Sequence, residues 1–401
     1  MSLTTRRRPK ICLVGGDDVD ARLDITAVLS AYFEICALGS EPGLAAGFAR
    51  AGVRYRVYAM SRRASPPRDL GTLWQLVRLL REERPDLVHT FDTKPSVWGR
   101  IAARLAGVPH VVGTLPGLGS LYTVGWGGWR ARLIRMVYQP LQTLACHLSD
   151  LTIFQNEDDA HEFTKRGVVP RDRTAVIPGS GVRTDVFEPR PPAAGGRERA
   201  ELRAELGIRD DAVVVTMVGR VMRSKGVLDF AAAARALGGG PPPLAFLLVG
   251  PADTDSLDAL TAAELARVQR SVRWLGRRGD VPQLLAASDV FVLPSFYREG
   301  IPRVLLEAAA MGLPLVAADS PGSKDVVRHG ENGFLVPPQD PGALADVVLT
   351  LARDAALRRR FGEASRRRAV EEFDLAVVAE RTHSVYDGLL RAGPPVPGAA
   401  A

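Results

Sequence analysis

Residues 290–308 read Val-Phe-Val-Leu-Pro-Ser-Phe-Tyr-Arg-Glu-Gly-Ile-Pro-Arg-Val-Leu-Leu-Glu-Ala. Val290 to Leu293 is an apolar run of strand length, and the residues from Val304 to Met311 read as a helix. Pro302 suits the first helical position, where a missing N–H costs nothing, and it biases Ile301 away from helix. Glu299 therefore falls in a strand-to-helix loop and Glu307 inside the helix. At about 1.5 Å per residue, Pro302 to Glu307 spans roughly 7–8 Å. Between the carboxylates lie the free amides of a helix N-terminus, which favour an anion. Acceptor, anion seat, acceptor is the order that suits a ligand with hydroxyls at both ends and phosphate in the middle, as in a nucleotide sugar.

Outward from this segment, strand-like runs alternate with helix-like ones. Ile11 to Val14, Asp86 to His89, His110 to Val112 and Leu151 to Phe154 form one series. Val213 to Val218, Phe246 to Val249, Val272 to Leu275, Val290 to Leu293 and Leu315 to Ala317 form a second. Such alternation predicts mostly parallel sheets. The pattern breaks near Pro178 to Gly181, and Pro189 to Gly196 is rich in Pro, Ala and Gly. We therefore expect a Rossmann-like domain over 1–188, a linker and first helix over 189–212, a second Rossmann-like domain over 213–374, a terminal helix over 375–392 and a disordered tail over 393–401. A chain of 401 residues is long enough for two cores.

The string Pro294 to Ala308 resembles the E-x7-E motif of retaining GT-B glycosyltransferases of family four, the group 1 glycosyl transferases. The resemblance implies an α/β chain with the GT-B fold: two Rossmann-like domains whose parallel sheets face a central cleft, and a final helix crossing back to the first. It implies transfer of a sugar from a nucleoside diphosphate donor, a UDP-sugar foremost, to an acceptor hydroxyl with retention. Glu299 would accept hydrogen bonds from the transferred sugar and Glu307 from the ribose, with Gly300 and Ile301 at the anion seat.

Two cations support that reading. Gly219-Arg220 ends the first strand of the second series, and Lys225-Gly226 precedes the next helix, so both charges are placed for a diphosphate. They resemble the family's G-R-x(n)-K-G motif, which makes Arg220 and Lys225 catalytic candidates beside Glu299 and adds Gly219 to the donor site. Gly15-Gly16 after the first strand lets the backbone approach a ligand and resembles the family's glycine-rich first loop; Arg277, after Leu275-Gly276, resembles its base-contacting loop. His89 and Lys94, in His89 to Ser96, resemble the acceptor-side loop of the capsule- and exopolysaccharide-type branch, with His89 either facing an acceptor or satisfied by backbone. Where many relatives carry Thr-x-His-Gly, this chain has Thr114-Leu115-Pro116-Gly117, so any role of that histidine is absent or moved. Asp253-Thr254-Asp255 matches the D-x-D metal motif literally, but Arg220, Lys225 and the helix amides already supply positive charge, so no metal or other cofactor is expected.

Composition narrows the remaining classes. Three cysteines, Cys12, Cys36 and Cys146, lie far apart and fit a reducing cytosol better than a disulfide framework. No apolar run reaches the length of a spanning helix, and Met1 to Lys10 is basic without a long apolar segment behind it, which reads against a signal peptide. The net charge is +7, and Thr93 to Ser149 contains no Asp or Glu. Trp126, Trp129, Arg130, Arg132 and Arg135 in that stretch suggest contact with an anionic membrane surface, or a helix with its wet side outward. The expected partners are a nucleotide sugar and a saccharide, lipid-linked or small-molecule acceptor, in the cytoplasm or at the inner face of the membrane. Three alternatives remain open: a GT-B nucleotide-sugar 2-epimerase, a non-catalytic nucleotide-sugar-binding subunit, and a nucleic-acid binder, for which the chain lacks a reading motif.

Overall fold

The computed structural model describes residues 7–61, 65–115, 117, 129–189, 192–253 and 258–393. The chain forms two compact units. Unit 1 comprises residues 1–121 and 126–180 and takes back 375–401, while unit 2 is built on 181–374.

Unit 1 carries seven parallel strands: β1 (Lys10–Val14), β2 (Glu34–Gly39), β3 (Arg54–Val57), β4 (Leu87–Thr90), β5 (His110–Leu115), β6 (Leu151–Phe154) and β7 (Thr174–Val176). Their order is β3-β2-β1-β4-β5-β6-β7, so the winding reverses between β1 and β4. Alternate residues serve opposite layers. Ile11, Leu13, Val112 and Ile153 pack with Val378 and Tyr386 of the terminal helix Leu375–Ala392. Cys12, Val14, Val88 and Val111 pack beneath the helices Pro66–Glu83 and Lys94–Ala106. Strands buried on both faces read as continuous apolar runs, as a parallel sheet requires.

Unit 2 carries β8 (Val213–Val218), β9 (Leu244–Val249), β10 (Arg273–Trp274), β11 (Val290–Leu293), β12 (Leu315–Ala318) and β13 (Gly333–Val336). Their order, β10-β9-β8-β11-β12-β13, reverses between β8 and β11. Both cores are α/β, as the alternation of runs predicts.

Two local expectations change, those for Pro302 and Lys94. The stretch 189–212 carries the helix Pro192–Glu205 and falls within unit 2. Arg199 and Arg203 of that helix each hold Asp289 at 2.6 Å, just before β11, which fastens it to the sheet. Pro302 is the N-cap, with ψ at 116°, so the helix begins at Arg303. Lys94 opens the helix Lys94–Ala106 instead of lying in a loop ahead of it. Pro116, Trp126, Thr254, Asp255 and the tail beyond Gly393 lie outside the described residues.

Candidate functional site

Ligands in open parallel sheets bind outside the carboxyl ends of the strands, where the winding reverses. In unit 2 that point lies between β8 and β11. Lys225 comes from the turn after β8, and Glu299 from the loop after β11. The two meet: Lys225 Nζ donates to both Glu299 carboxylate oxygens at 2.6 Å. Lys225 is only 8% exposed, so the pair is shielded enough for each charge to matter to the other. Ser295 Oγ adds a hydrogen bond to Glu299 at 3.3 Å, and the Tyr297 ring lies 5.6 Å from the ammonium.

The helix Arg303–Ala310 starts four residues beyond Glu299 and buries Leu305, Leu306 and Ala308 to Ala310. Glu307 stands on it, mostly buried, and accepts from Arg303 Nε at 3.1 Å. Arg220, just past β8, is half exposed and donates to Asp253 at 2.7 Å. Asp253 is thus a partner of the expected phosphate-binding arginine, and among the described residues no group of three or more His, Cys, Asp or Glu could hold a metal ion. Arg277 is exposed on the loop after β10, whose Gly276 carbonyl accepts from Gly250 N at 2.8 Å.

Three glycines let these loops touch. A Cβ at Gly226 would lie 2.2 Å from the Pro294 carbonyl oxygen, one at Gly250 1.9 Å from that of Gly219, and one at Gly322 1.6 Å from that of Gly300. All three have positive φ, a region in which glycine is at ease. Gly322 and Ser295 escape a reading built on charged motifs. Gly322 had one signal: it follows β12, the strand beside β11, so its loop had to border the Glu299 loop.

Unit 2 therefore carries Gly219, Arg220, Lys225, Arg277, Glu299, Gly300 and Ile301 in the loops after its strands and Glu307 on the helix Arg303–Ala310. Gly16, His89 and Lys94 belong to unit 1. Gly16 N donates to Asp92 at 3.2 Å, at the reversal between β1 and β4. Lys94 is committed to Asp69 at 2.6 Å and to the Ser61 carbonyl. His89 lies inside β4 and is 3% exposed. Its Nδ1 meets Tyr386 Oη at 2.5 Å and its Nε2 meets Thr114 Oγ1 at 2.7 Å. Burial and the nearby Arg22 and Arg100 charges hold its pKa well below the usual range, so it is a neutral tether with both nitrogens engaged. It also borders a cavity of about 40 Å³ with Arg22, Gln155, Ser180 and Thr382.

A half-buried cation–carboxylate pair beside a helix N-terminus, at the reversal point of a parallel sheet, defines an α/β protein with an arrangement that suits an anionic ligand bearing hydroxyls. The family model for glycosyl transferases group 1 matches residues 198–368, and that for the glycosyl transferase 4-like domain matches residues 26–180. Over 357 residues the chain is 30% identical to the UDP-Gal:alpha-D-GlcNAc-diphosphoundecaprenol alpha-1,3-galactosyltransferase of Escherichia coli, spanning 88% of this chain and 89% of that protein. It is 28% identical over 345 residues to the N,N'-diacetylbacillosaminyl-diphospho-undecaprenol alpha-1,3-N-acetylgalactosaminyltransferase of Campylobacter jejuni, spanning 85% and 87%. The Anabaena protein HepE, solved with UDP and glucose, superposes with a TM-score of 0.78 at 22% identity, spanning 95% of this chain and 100% of that one, a likeness of fold. The chain belongs to the group 1 glycosyl transferases of the GT-B fold and is a glycosyltransferase. Its relatives favour sugar transfer over the epimerase alternative. Among the described residues no helix is long and apolar enough to cross a membrane.

Proposed function

We propose that this chain is a retaining, metal-independent glycosyltransferase that moves a hexose from a UDP-sugar to a hydroxyl of a lipid-linked saccharide at the cytoplasmic face of a membrane. The observation that carries the reading is the Lys225–Glu299 pair at the β8/β11 reversal, with Glu299 three residues ahead of the Pro302 cap. In the free protein each charge neutralises the other. A donor takes over both: its diphosphate receives Lys225, Arg220 and the helix amides, and the hydroxyls of its sugar donate to Glu299. Glu307 accepts from the ribose. Gly16 and the loop after Gly276 border the donor, and residues 91–93, between the strand of His89 and the helix of Lys94, shape the acceptor side. The acceptor proton leaves with the departing phosphate on the same face, which preserves the anomeric configuration. The relatives that act on diphosphoundecaprenol substrates support a lipid-linked acceptor, and residues 126–135 support peripheral contact with anionic lipid.

The test is turnover of UDP-sugars with product analysis. Glu299→Ala and Lys225→Ala should each lower turnover about 10²–10³-fold, the scale of losing one pre-set electrostatic partner. The product should keep the donor's anomeric configuration by NMR. Undiminished turnover in either variant would sink the site assignment, and an inverted product would sink retention.

A further inference from the structure

We infer that the outer face of the helical layer on one side of unit 1 docks on an anionic lipid bilayer, through residues outside the 126–135 segment. The inference deepens the membrane part of the reading above and does not depend on the donor site.

Three helices, Pro66–Glu83, Lys94–Ala106 and Trp129–His147, lie side by side over the sheet face that bears Cys12, Val14, Val88 and Val111. Their inner sides are settled: Leu76, Leu80 and Ala103 are in that core, and Arg100 reaches Cys146 across the second and third helices at 3.1 Å. Their outer sides are not. Leu70 is 53% exposed, Trp74 58%, Leu105 48%, Met136 67% and Leu144 49%. These are five of the ten exposed large hydrophobic residues among those described, all on three adjacent helices. Single exposed apolar residues need no explanation, whereas a cluster of them marks an interaction surface.

Charge selects the occupant. Arg78, Arg81 and Arg84 line one shallow groove with Trp74, and Arg81 reaches the Leu105 carbonyl at 3.0 Å, so cations stand directly beside the apolar residues. Arg68 is exposed on the same helix. Glu82 is already engaged by Arg56 and Arg78, and Thr93 to Ser149 supplies no carboxylate. A second copy of this chain would set arginine against arginine. A bilayer with anionic headgroups meets both requirements: Trp, Leu and Met enter the headgroup–acyl boundary, and the guanidinium groups stay with the phosphates.

The experiment is cosedimentation of the full chain with vesicles of phosphatidylcholine alone, or of phosphatidylcholine and phosphatidylglycerol in equal parts. Binding should require phosphatidylglycerol and weaken with salt. Trp74→Ser and Met136→Ser should each lower the partition constant about tenfold, as expected for withdrawing one half-inserted apolar side chain. Arg81→Glu should lower it as well. All variants should keep the parent's protection by UDP against heat. Binding to neither vesicle, or variants that bind like the parent, would overturn the inference. A parent dimer that Trp74→Ser makes monomeric, without vesicle binding, would assign the face to a second copy and overturn it equally. Absence of UDP protection in the parent would count against the donor reading alone and leave the vesicle result standing.

Discussion

A methyl group at Gly322 would stand 1.6 Å from the Gly300 carbonyl oxygen and 3.1 Å from that of Glu299, on a backbone with φ of +82°. The loop after β12 thus sets the height of the Glu299 loop by direct backbone contact. Gly322→Ala should cost about 1–3 kcal/mol through φ alone. It should also displace Glu299 from Lys225 and raise the UDP dissociation constant by more than tenfold; calorimetric titration that finds unchanged affinity would refute this coupling. Titration gives a second residue-scale prediction. Partial burial, followed by the Asp92 carboxylate beside it, raises Asp18 to about 7 from 3.8. The folded state therefore holds a proton that the unfolded state has released. That contribution is whole below about pH 4 and is lost as pH rises through about 7. Asp18→Asn should remove this fall, so the variant gains on the parent in urea midpoint between about pH 5 and about pH 8. Equal slopes for the two proteins would contradict it. Asp18 keeps substantial contact with water, which limits the size of the effect.

The terminal helix Leu375–Ala392 is fastened to the unit 1 sheet by Val378 and Tyr386 in the core and by the Tyr386–His89 hydrogen bond. Burial raises the Tyr386 phenol far above its ordinary range, so it stays protonated and donates to a neutral histidine. Tyr386→Phe keeps the packing and leaves Nδ1 without that partner, an expected loss of about 1–3 kcal/mol. Faster amide exchange confined to this helix and β4 should accompany the loss, and an unchanged exchange pattern would show the tether to be idle. Elements of this kind differ in how far the sequence announces them. Leu151 to Phe154, Val213 to Val218 and Val290 to Leu293 read as strands because central parallel strands are apolar on both faces. β3, β7 and β13 escape the same reading. They are sheet edges, and Arg54-Tyr55-Arg56-Val57 is half wet and polar. β2 is also unread, although Ile35 to Leu38 is as apolar as its neighbours. The charged members of the candidate site stand out in the sequence because they follow apolar strand runs in spaced strings, Gly219-Arg220, Lys225-Gly226 and Glu299 to Glu307. The commitment of His89 was not, because Tyr386 lies 297 residues away.

At the scale of the molecule, two units with separate cores make ligand stabilisation a local event. The pair Lys225–Glu299, the cation Arg220 and the helix bearing Glu307 all lie in unit 2, so UDP should stabilise that unit by mass action. At a ligand concentration a hundred times its dissociation constant the gain is about 2.7 kcal/mol. For a unit of roughly two hundred residues this corresponds to a rise of about 5–10 °C in the transition midpoint. Trp274 is the only tryptophan of unit 2, and its indole donates to the Gly250 carbonyl at 2.8 Å, at the strand end beside the Arg277 loop. Its fluorescence therefore follows the unit that binds. Lys225→Ala and Glu307→Ala should each remove most of the rise, the first by deleting the proposed cation for the phosphate and the second the proposed acceptor for the ribose. Addition of EDTA should leave both the shift and the turnover of UDP-sugar unchanged, because the proposed site draws its positive charge for the diphosphate from Arg220, Lys225 and the amides at the start of Arg303–Ala310. A shift that disappears with EDTA and returns with magnesium would refute that assignment, and Asp253 would then have to exchange Arg220 for a cation.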